Sequence, residues 1–283
     1  NQIRIFKPEI IHIIPGPTLS LFFLNKILKI LNPKAKMVMS APRPQTFSKL
    51  FKFLIPILKP DMILTQSSNA TKTFQNLGCN VEFLPSGVNL NRFVPTNEIN
   101  KKKLKKKFNF DEKKPLLLHV GSIRKIRNLE SLIEIKKHID IEILIVGSTS
   151  LPIEKNLLDS LIENNLRIMT NYVESIEEIY SMADCYIFPV TINHGAIEIP
   201  LSIIEAMSCN LPILTTRFGG VPDIFNEKDG LFYIESNEEM VKCLKNVLKP
   251  NFQVNTRKHV LPYSWENIGF KLNDIYNELI KNK

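Results

Sequence analysis

Short apolar runs alternate along the chain with longer stretches in which apolar positions recur every three or four residues. Ile10 to Ile14, Lys36 to Ser40, Met62 to Thr65 and Val81 to Leu84 have the length and character of strands. Between them, Leu19 to Leu31 and Ala70 to Gly78 have helical spacing. Further on the pattern sharpens: strand Leu116 to Val120, helix Leu129 to His138, strand Ile143 to Val146, helix Glu154 to Asn164 and a short strand Arg167 to Thr170. Ser175-Ile176-Glu177-Glu178 predicts a capping box opening a helix. Strand Cys185 to Pro189, helix Pro200 to Cys209, strands Pro212 to Thr216 and Leu231 to Ile234, and helix Glu238 to Leu248 follow. Ser264 to Ile280 closes the chain as an amphipathic helix carrying Trp265, Ile268, Leu272, Ile275, Tyr276 and Leu279 at helical spacing. Strands separated by helices in this way predict right-handed βαβ units around parallel sheets, an α/β fold.

The alternation breaks between Asn97 and Lys114, where Lys101 to Lys107 reads as a solvated helix or a linker. The chain divides there into a domain at 1–110, a domain at 111–262 and a terminal helix at 263–283. A length of 283 residues suits about two domains. A hydrophobic fraction of 44% with 23% charged residues excludes wholesale disorder. The longest apolar stretch, Ile10 to Leu31, is cut by His12, Pro15, Gly16, Pro17, Asn25, Lys26 and Lys29, short of the roughly 20 apolar residues a spanning helix needs. Cys79, Cys185, Cys209 and Cys243 form no C-x-x-C pair and no metal-ligand spacing with histidine, so no metal site or disulfide framework is indicated and a reducing cytoplasm fits. The 37 Lys and Arg against 28 Asp and Glu give +9, which suits nucleotide phosphate or anionic lipid, although a Lys-, Asn- and Ile-rich composition alone also produces it.

Three constellations can carry chemistry. In the first, Gly121 follows a buried strand and Arg124, Lys125 and Arg127 precede Asn128, which is placed to cap a helix. Glycine admits a ligand close to the backbone, and a helix N-terminus with adjacent cations suits an anion; the alternative is a solvated loop with incidental cations. In the second, His194 and Glu198 precede Pro200, which suits a first helical turn, and Glu205 then lies inside an apolar helix. A carboxylate there needs hydrogen-bond donors, for which sugar hydroxyls or a neighbouring helix cap both serve. In the third, Gly219-Gly220 follows a strand and precedes Val221-Pro222-Asp223. His119 reads as packing inside its strand, His138 and His259 as peripheral, and His12 as lying at a strand end or in a loop. The dinucleotide, P-loop, hydrolase-elbow and zinc-protease motifs are all absent.

These constellations, in this order, resemble the nucleotide-sugar half of GT-B glycosyltransferases, specifically the retaining family 4 enzymes. The resemblance is strongest from Pro200 to Ile213 and from Arg217 to Asp223. It extends to Leu84-Pro85-Ser86-Gly87-Val88-Asn89, which is similar to the family's interdomain segment, and to Tyr263-Ser264-Trp265-Glu266, similar to the entry of its crossover helix. It implies two Rossmann-like domains, the first beginning partway, and a crossover helix. It also implies that Arg127, with Arg124 or Lys125, holds the donor pyrophosphate, that Glu205 binds the ribose and that Glu198 lies near the donor sugar. The Leu201 and Ser202 N–H groups would face the phosphates, beside Gly121 and His194. No cofactor or metal is implied, the nucleotide-sugar being a substrate. The implied activity is retaining, hexosyl-type transfer to a glycan or lipid-linked acceptor in polysaccharide biosynthesis. Localisation would be cytoplasmic, with no nucleic-acid partner; separately from the resemblance, the basic run Lys101 to Lys107 offers a peripheral contact to the anionic inner face of a membrane.

This chain departs from the family pattern in three places. Six residues, not seven, separate Glu198 and Glu205, and Ile197 occupies the usual carboxylate position. Ser122 stands where the family has a phosphate-binding Arg, and Ser40-Ala41-Pro42-Arg43 where it has an acceptor-side His. A non-catalytic nucleotide-sugar-binding subunit, or an epimerase of the same fold, are the competing readings.

Overall fold

The computed structural model describes residues 2–14 and 16–281. A short helix α1 (Gln2–Phe6) leads into β1 (Ile10–Ile13), α2 (Leu19–Leu31), β2 (Lys36–Ala41), α3 (Lys49–Leu58), β3 (Met62–Thr65), α4 (Ser68–Asn76) and β4 (Val81–Phe83). The four strands pair in sequence order, all parallel. Alternation along β2 and β3 sends Met37, Met39 and Ile63 to the face covered by α2 and α3, and Val38 and Leu64 to the other. The spacing does not single out α3, because its apolar residues are nearly continuous and it contains Pro56. It forms because the Ser48 hydroxyl caps it and Phe51, Ile55 and Leu58 bury against the sheet. His12 lies within β1 rather than at a strand end or in a loop.

The linker after β4 runs into α5 (Glu98–Lys107), which packs on the second half of the chain. Its lysines are not simply solvated. Lys105 is buried and bonds Asp184 Oδ2 at 2.7 Å, Lys101 bonds Oδ1 at 3.0 Å, and Lys107 pairs with Glu178.

Next come β5 (Leu116–Gly121), α6 (Ser131–His138), β6 (Glu142–Gly147), α7 (Lys155–Glu163), β7 (Arg167–Met169), α8 (Ile176–Met182), β8 (Cys185–Phe188), α9 (Leu201–Ser208), β9 (Ile213–Thr215), α10 (Val221–Ile224), β10 (Leu231–Tyr233) and α11 (Asn237–Val247). Their strands form a second parallel sheet in the order β10-β9-β8-β5-β6-β7. Both faces are covered, with Leu116, Leu118 and Tyr186 in one core and Leu117, Ile143 and Ile187 in the other, which is why the strands are apolar throughout.

Two local expectations change. Asn128 does not cap α6; it adopts a left-handed conformation (φ 56°) closing a 3-10 turn at Lys125–Arg127, and α6 begins at Ser131. The Ser175 hydroxyl does not cap α8, whose acidic residues instead bind Arg92 and Lys107 across elements.

After α12 (Arg257–Val260), α13 (Trp265–Lys281) returns to the first sheet and covers its second face with Ile275. His12 fastens it there, with Nδ1 2.6 Å from the Tyr276 hydroxyl and Nε2 2.8 Å from Ser40 Oγ.

Candidate functional site

The strand order of the second sheet reverses between β5 and β8. From β5 the chain proceeds through β6 to β7, then crosses to β8 on the opposite side and continues to β9 and β10. The loops leaving β5 and β8 therefore diverge and open a crevice at the carboxyl ends of these strands, where ligands bind in open parallel sheets. The first and second sequence constellations are those two loops.

In the loop after β5, the 3-10 turn brings Arg127 back over the sheet. Its Nε donates to Ser122 Oγ at 3.2 Å, and its guanidinium lies 5.7 Å from the centre of the Phe188 ring. Burial lowers its pKa, Arg43 and Arg124 act in the same direction, and Tyr186 opposes them. A guanidinium keeps its charge regardless. Among the described residues Arg127 makes no ion pair, so a half-buried positive charge lies at the crevice without a counter-ion. Gly121 sits tightly here, a Cβ falling 3.0 Å from His119 Nε2 and 3.3 Å from Arg127 Nη1. His119 is fully buried with Nδ1 2.9 Å from the Ile187 carbonyl. Burial brings its pKa down to about 4, so the imidazole is neutral. Arg124 is drawn towards Glu154 (3.5 Å), and Glu154 also accepts the Lys125 N–H, while the Lys125 side chain is exposed.

In the loop after β8, a second 3-10 turn, Asn193–Gly195, carries His194. A Cβ on Gly195 would lie 3.1 Å from the Ile126 carbonyl, so the two turns are in close contact. Asn128 also bonds the Pro189 carbonyl at 3.1 Å, tying the loops together. His194 borders a cavity of about 380 Å³ shared with Arg43 and Thr46 of the first domain. Pro200 does not lie in the first turn of α9 but precedes it in an extended conformation (ψ 125°), and the N–H groups of Leu201 and Ser202 find no acceptor among the described residues. The Ser202 side chain lies beside the Tyr186 phenol, which donates to the Val120 carbonyl at 3.5 Å.

Glu205 lies one turn further along α9, where the Tyr180 hydroxyl donates to its Oε2 at 2.8 Å. Burial raises its carboxyl pKa, while that hydrogen bond and the charge of Arg92 pull it back.

Glu198 lies elsewhere, in the seam between the two domains. It is buried; its N–H donates to the Pro42 carbonyl at 2.8 Å, its carbonyl accepts from Gly220 at 2.8 Å, and its carboxylate lies beside the Ser67 hydroxyl. Burial raises its pKa, and the nearby Asp223 adds to this. None of these contacts reaches Arg127 or Glu205. The glycine pair supports the seam. A Cβ on Gly219 (φ +54°) would lie 2.4 Å from the Glu198 carbonyl, and one on Gly220 would lie 1.9 Å from the Gln66 carbonyl. Asp223 completes the contact by accepting the Ser68 N–H at 2.7 Å.

Sequence reading placed Asp223 in the third constellation without its contact to Ser68, and did not identify Tyr180, Ser67 or Arg257. The last binds the Phe93, Ser208 and Leu90 carbonyls and fixes the linker on α9. Each lies far in sequence from its partners, and nothing local signals the contact.

Two parallel-sheet α/β domains, with a crevice at the reversal point of one sheet facing the other domain, define the GT-B architecture. Residues 100–263 match the family of glycosyl transferases group 1, and the chain belongs to it. It is 25% identical to a GDP-mannose-dependent monoacylated alpha-(1-6)-phosphatidylinositol monomannoside mannosyltransferase of Corynebacterium glutamicum, over 69% of this chain and 55% of that protein. It is 26% identical to a sulfoquinovosyl transferase of Arabidopsis thaliana, over 88% and 51%. The chain thus spans about half the length of these relatives. Anabaena HepE, solved with UDP-glucose, superposes with a TM-score of 0.78 at 13% identity, over 95% of this chain and 79% of that one. Among the described residues no helix is long and apolar enough to cross a membrane.

Proposed function

We propose that the chain transfers a sugar from a nucleoside-diphosphate donor to a glycan or lipid-linked acceptor with retention of anomeric configuration. The observation that carries this reading is Arg127, a half-buried cation without an ion-pair partner among the described residues, at the reversal point of the sheet. Charge develops on the leaving diphosphate as the glycosidic bond breaks, so a preorganised cation acts more strongly on the transition state than on the bound donor. The free N–H groups of Leu201 and Ser202 act in the same direction, Lys125 adds an exposed cation, and Gly121 lets the phosphates approach. Glu205 Oε1 accepts the ribose hydroxyls while Tyr180 holds Oε2. The acceptor hydroxyl bonds the anomeric carbon from the face the diphosphate leaves, and its proton passes to the departing phosphate oxygen. These cations and N–H groups neutralise the diphosphate without a resident metal. The GDP-mannose dependence of one relative and the UDP-glucose bound to one structural neighbour support a nucleotide-sugar donor.

A second reading, a donor-binding subunit without turnover, is favoured by Glu198, which is buried in the seam on Pro42 and Gly220 and beside Ser67 instead of standing in the crevice. Calorimetric titration with UDP, GDP, ADP and their sugar conjugates, alongside product analysis, separates the two. One nucleotide should bind selectively, and Arg127→Ala and Glu205→Ala should each weaken it about ten- to hundredfold, the worth of one charge-assisted hydrogen bond of about 1.5–3 kcal/mol. Binding without sugar transfer favours the second reading, and absence of any nucleotide binding rejects both.

A further inference from the structure

The strongest unassigned feature lies on the first domain. Helices α2 and α3 lie side by side on one face of the first sheet, joined by Phe22 against Phe51 (5.6 Å between ring centres) and by Asn25 donating to the Leu58 carbonyl at 2.8 Å. Their inward faces are fully used. Their outward faces are apolar as well: Phe23, Ile27 and Ile30 on α2, and Leu50, Phe53 and Ile57 on α3, with Phe53 73% and Ile30 68% exposed. These residues recur at helical spacing, so each helix presents a continuous outer stripe. Helices that already cover a sheet have used one face each, and the second apolar face beyond that layer has no partner among the described residues.

The charge around this face is one-sided. Between Glu9 and Asp61 the sequence contains eight Lys and Arg and no Asp or Glu. Lys26, Lys49 and Lys52 are exposed on the same two helices and make no ion pair among the described residues. We propose that the outer faces of α2 and α3 dock in plane on an anionic lipid membrane, with the apolar stripes in the headgroup boundary and the lysines on lipid phosphates. Exposed apolar residues beside unpaired lysines, with no carboxylate in the segment, match this occupant. A second copy of the chain fits less well, because two-fold pairing of the same face sets lysines against lysines. The lysine run of α5 is not this surface, since Lys101, Lys105 and Lys107 are engaged with Asp184 and Glu178. The proposal stands independently of the sugar and nucleotide the crevice accepts.

Vesicle flotation of the full chain tests it. The chain should float with vesicles of phosphatidylglycerol and phosphatidylcholine, stay behind with phosphatidylcholine alone, and detach in high salt. The double variant Phe53→Ser/Ile57→Ser should lose about tenfold or more in partitioning. Lys49→Gln and Lys52→Gln should each lose roughly fivefold. All four side chains are exposed, so unchanged circular dichroism melts should accompany these losses. The proposal is overturned by absence of flotation, by flotation insensitive to these variants, or by concentration-dependent dimerisation that the same variants abolish.

Discussion

A carboxylate inside an apolar helix must be hydrogen-bonded, and Glu205 meets that requirement with one oxygen on Tyr180. Burial nevertheless raises its pKa above the ordinary 4.5, so the folded state takes up a proton more readily than the unfolded chain. The sign follows: the contribution of Glu205 to stability becomes more favourable as pH falls through the raised native value, and levels off below the unfolded one. Nucleotide affinity should move the opposite way, because protonation removes the acceptor for the ribose hydroxyls. Titrations across this range should show affinity falling with pH in the wild type and remaining flat in Glu205→Gln. That variant should bind about tenfold more weakly at neutral pH without a lowered thermal midpoint. A pH-independent wild type would remove Glu205 from the ribose site.

Among the elements, α5 shows most clearly how charge holds this fold. Asp184 accepts both Lys101 and Lys105 as well as the Leu116 N–H at 2.8 Å, so one carboxylate fastens α5 to the start of β5. Burial alone would raise its pKa, but the two ammonium groups outweigh it and hold it below the ordinary 3.8. The stabilisation is therefore present above the unfolded pKa and is lost as pH falls through the depressed native one. Asp184→Ala strands the buried Lys105 ammonium and should cost about 3 kcal/mol in denaturant unfolding, with the difference from wild type shrinking in acid. The same element marks the boundary of what was legible. Strands such as β5, β6 and β8 could be read directly because a parallel sheet buried on both faces demands unbroken apolar runs. The lysines of α5 read as solvated because their counter-ion lies some eighty residues away. Arg127 and Glu205 stood out by local context, an unusual charge beside a glycine and a carboxylate among apolar residues. Tyr180 and Ser67, which hold the two glutamates, did not, since their roles exist only once α8 meets α9 and the two domains close.

At the scale of the whole molecule, the chain crosses between its domains twice, and the crossings lie side by side. Val88 of the outgoing linker donates to the Tyr263 carbonyl at 2.9 Å and accepts from the Trp265 N–H at 3.1 Å. Trp265, the only tryptophan, packs on Gly87 so closely that a Cβ there would be 2.5 Å from its ring. A rotation of one domain against the other would pivot at this point, and it would have to open the seam of Glu198, Gly219 and Gly220 against Gln66 and Ser67. The half-exposed indole is therefore a built-in reporter of closure. Gly220→Ala places a methyl group 1.9 Å from the Gln66 carbonyl, which neither backbone can accommodate without the seam opening. Its Trp265 emission should differ from that of the wild type without donor, and donor nucleotide should shift emission in the wild type but much less in Gly220→Ala. Equal responses in both proteins would mean that donor binding does not act on the seam, and that the crevice of the second domain works alone.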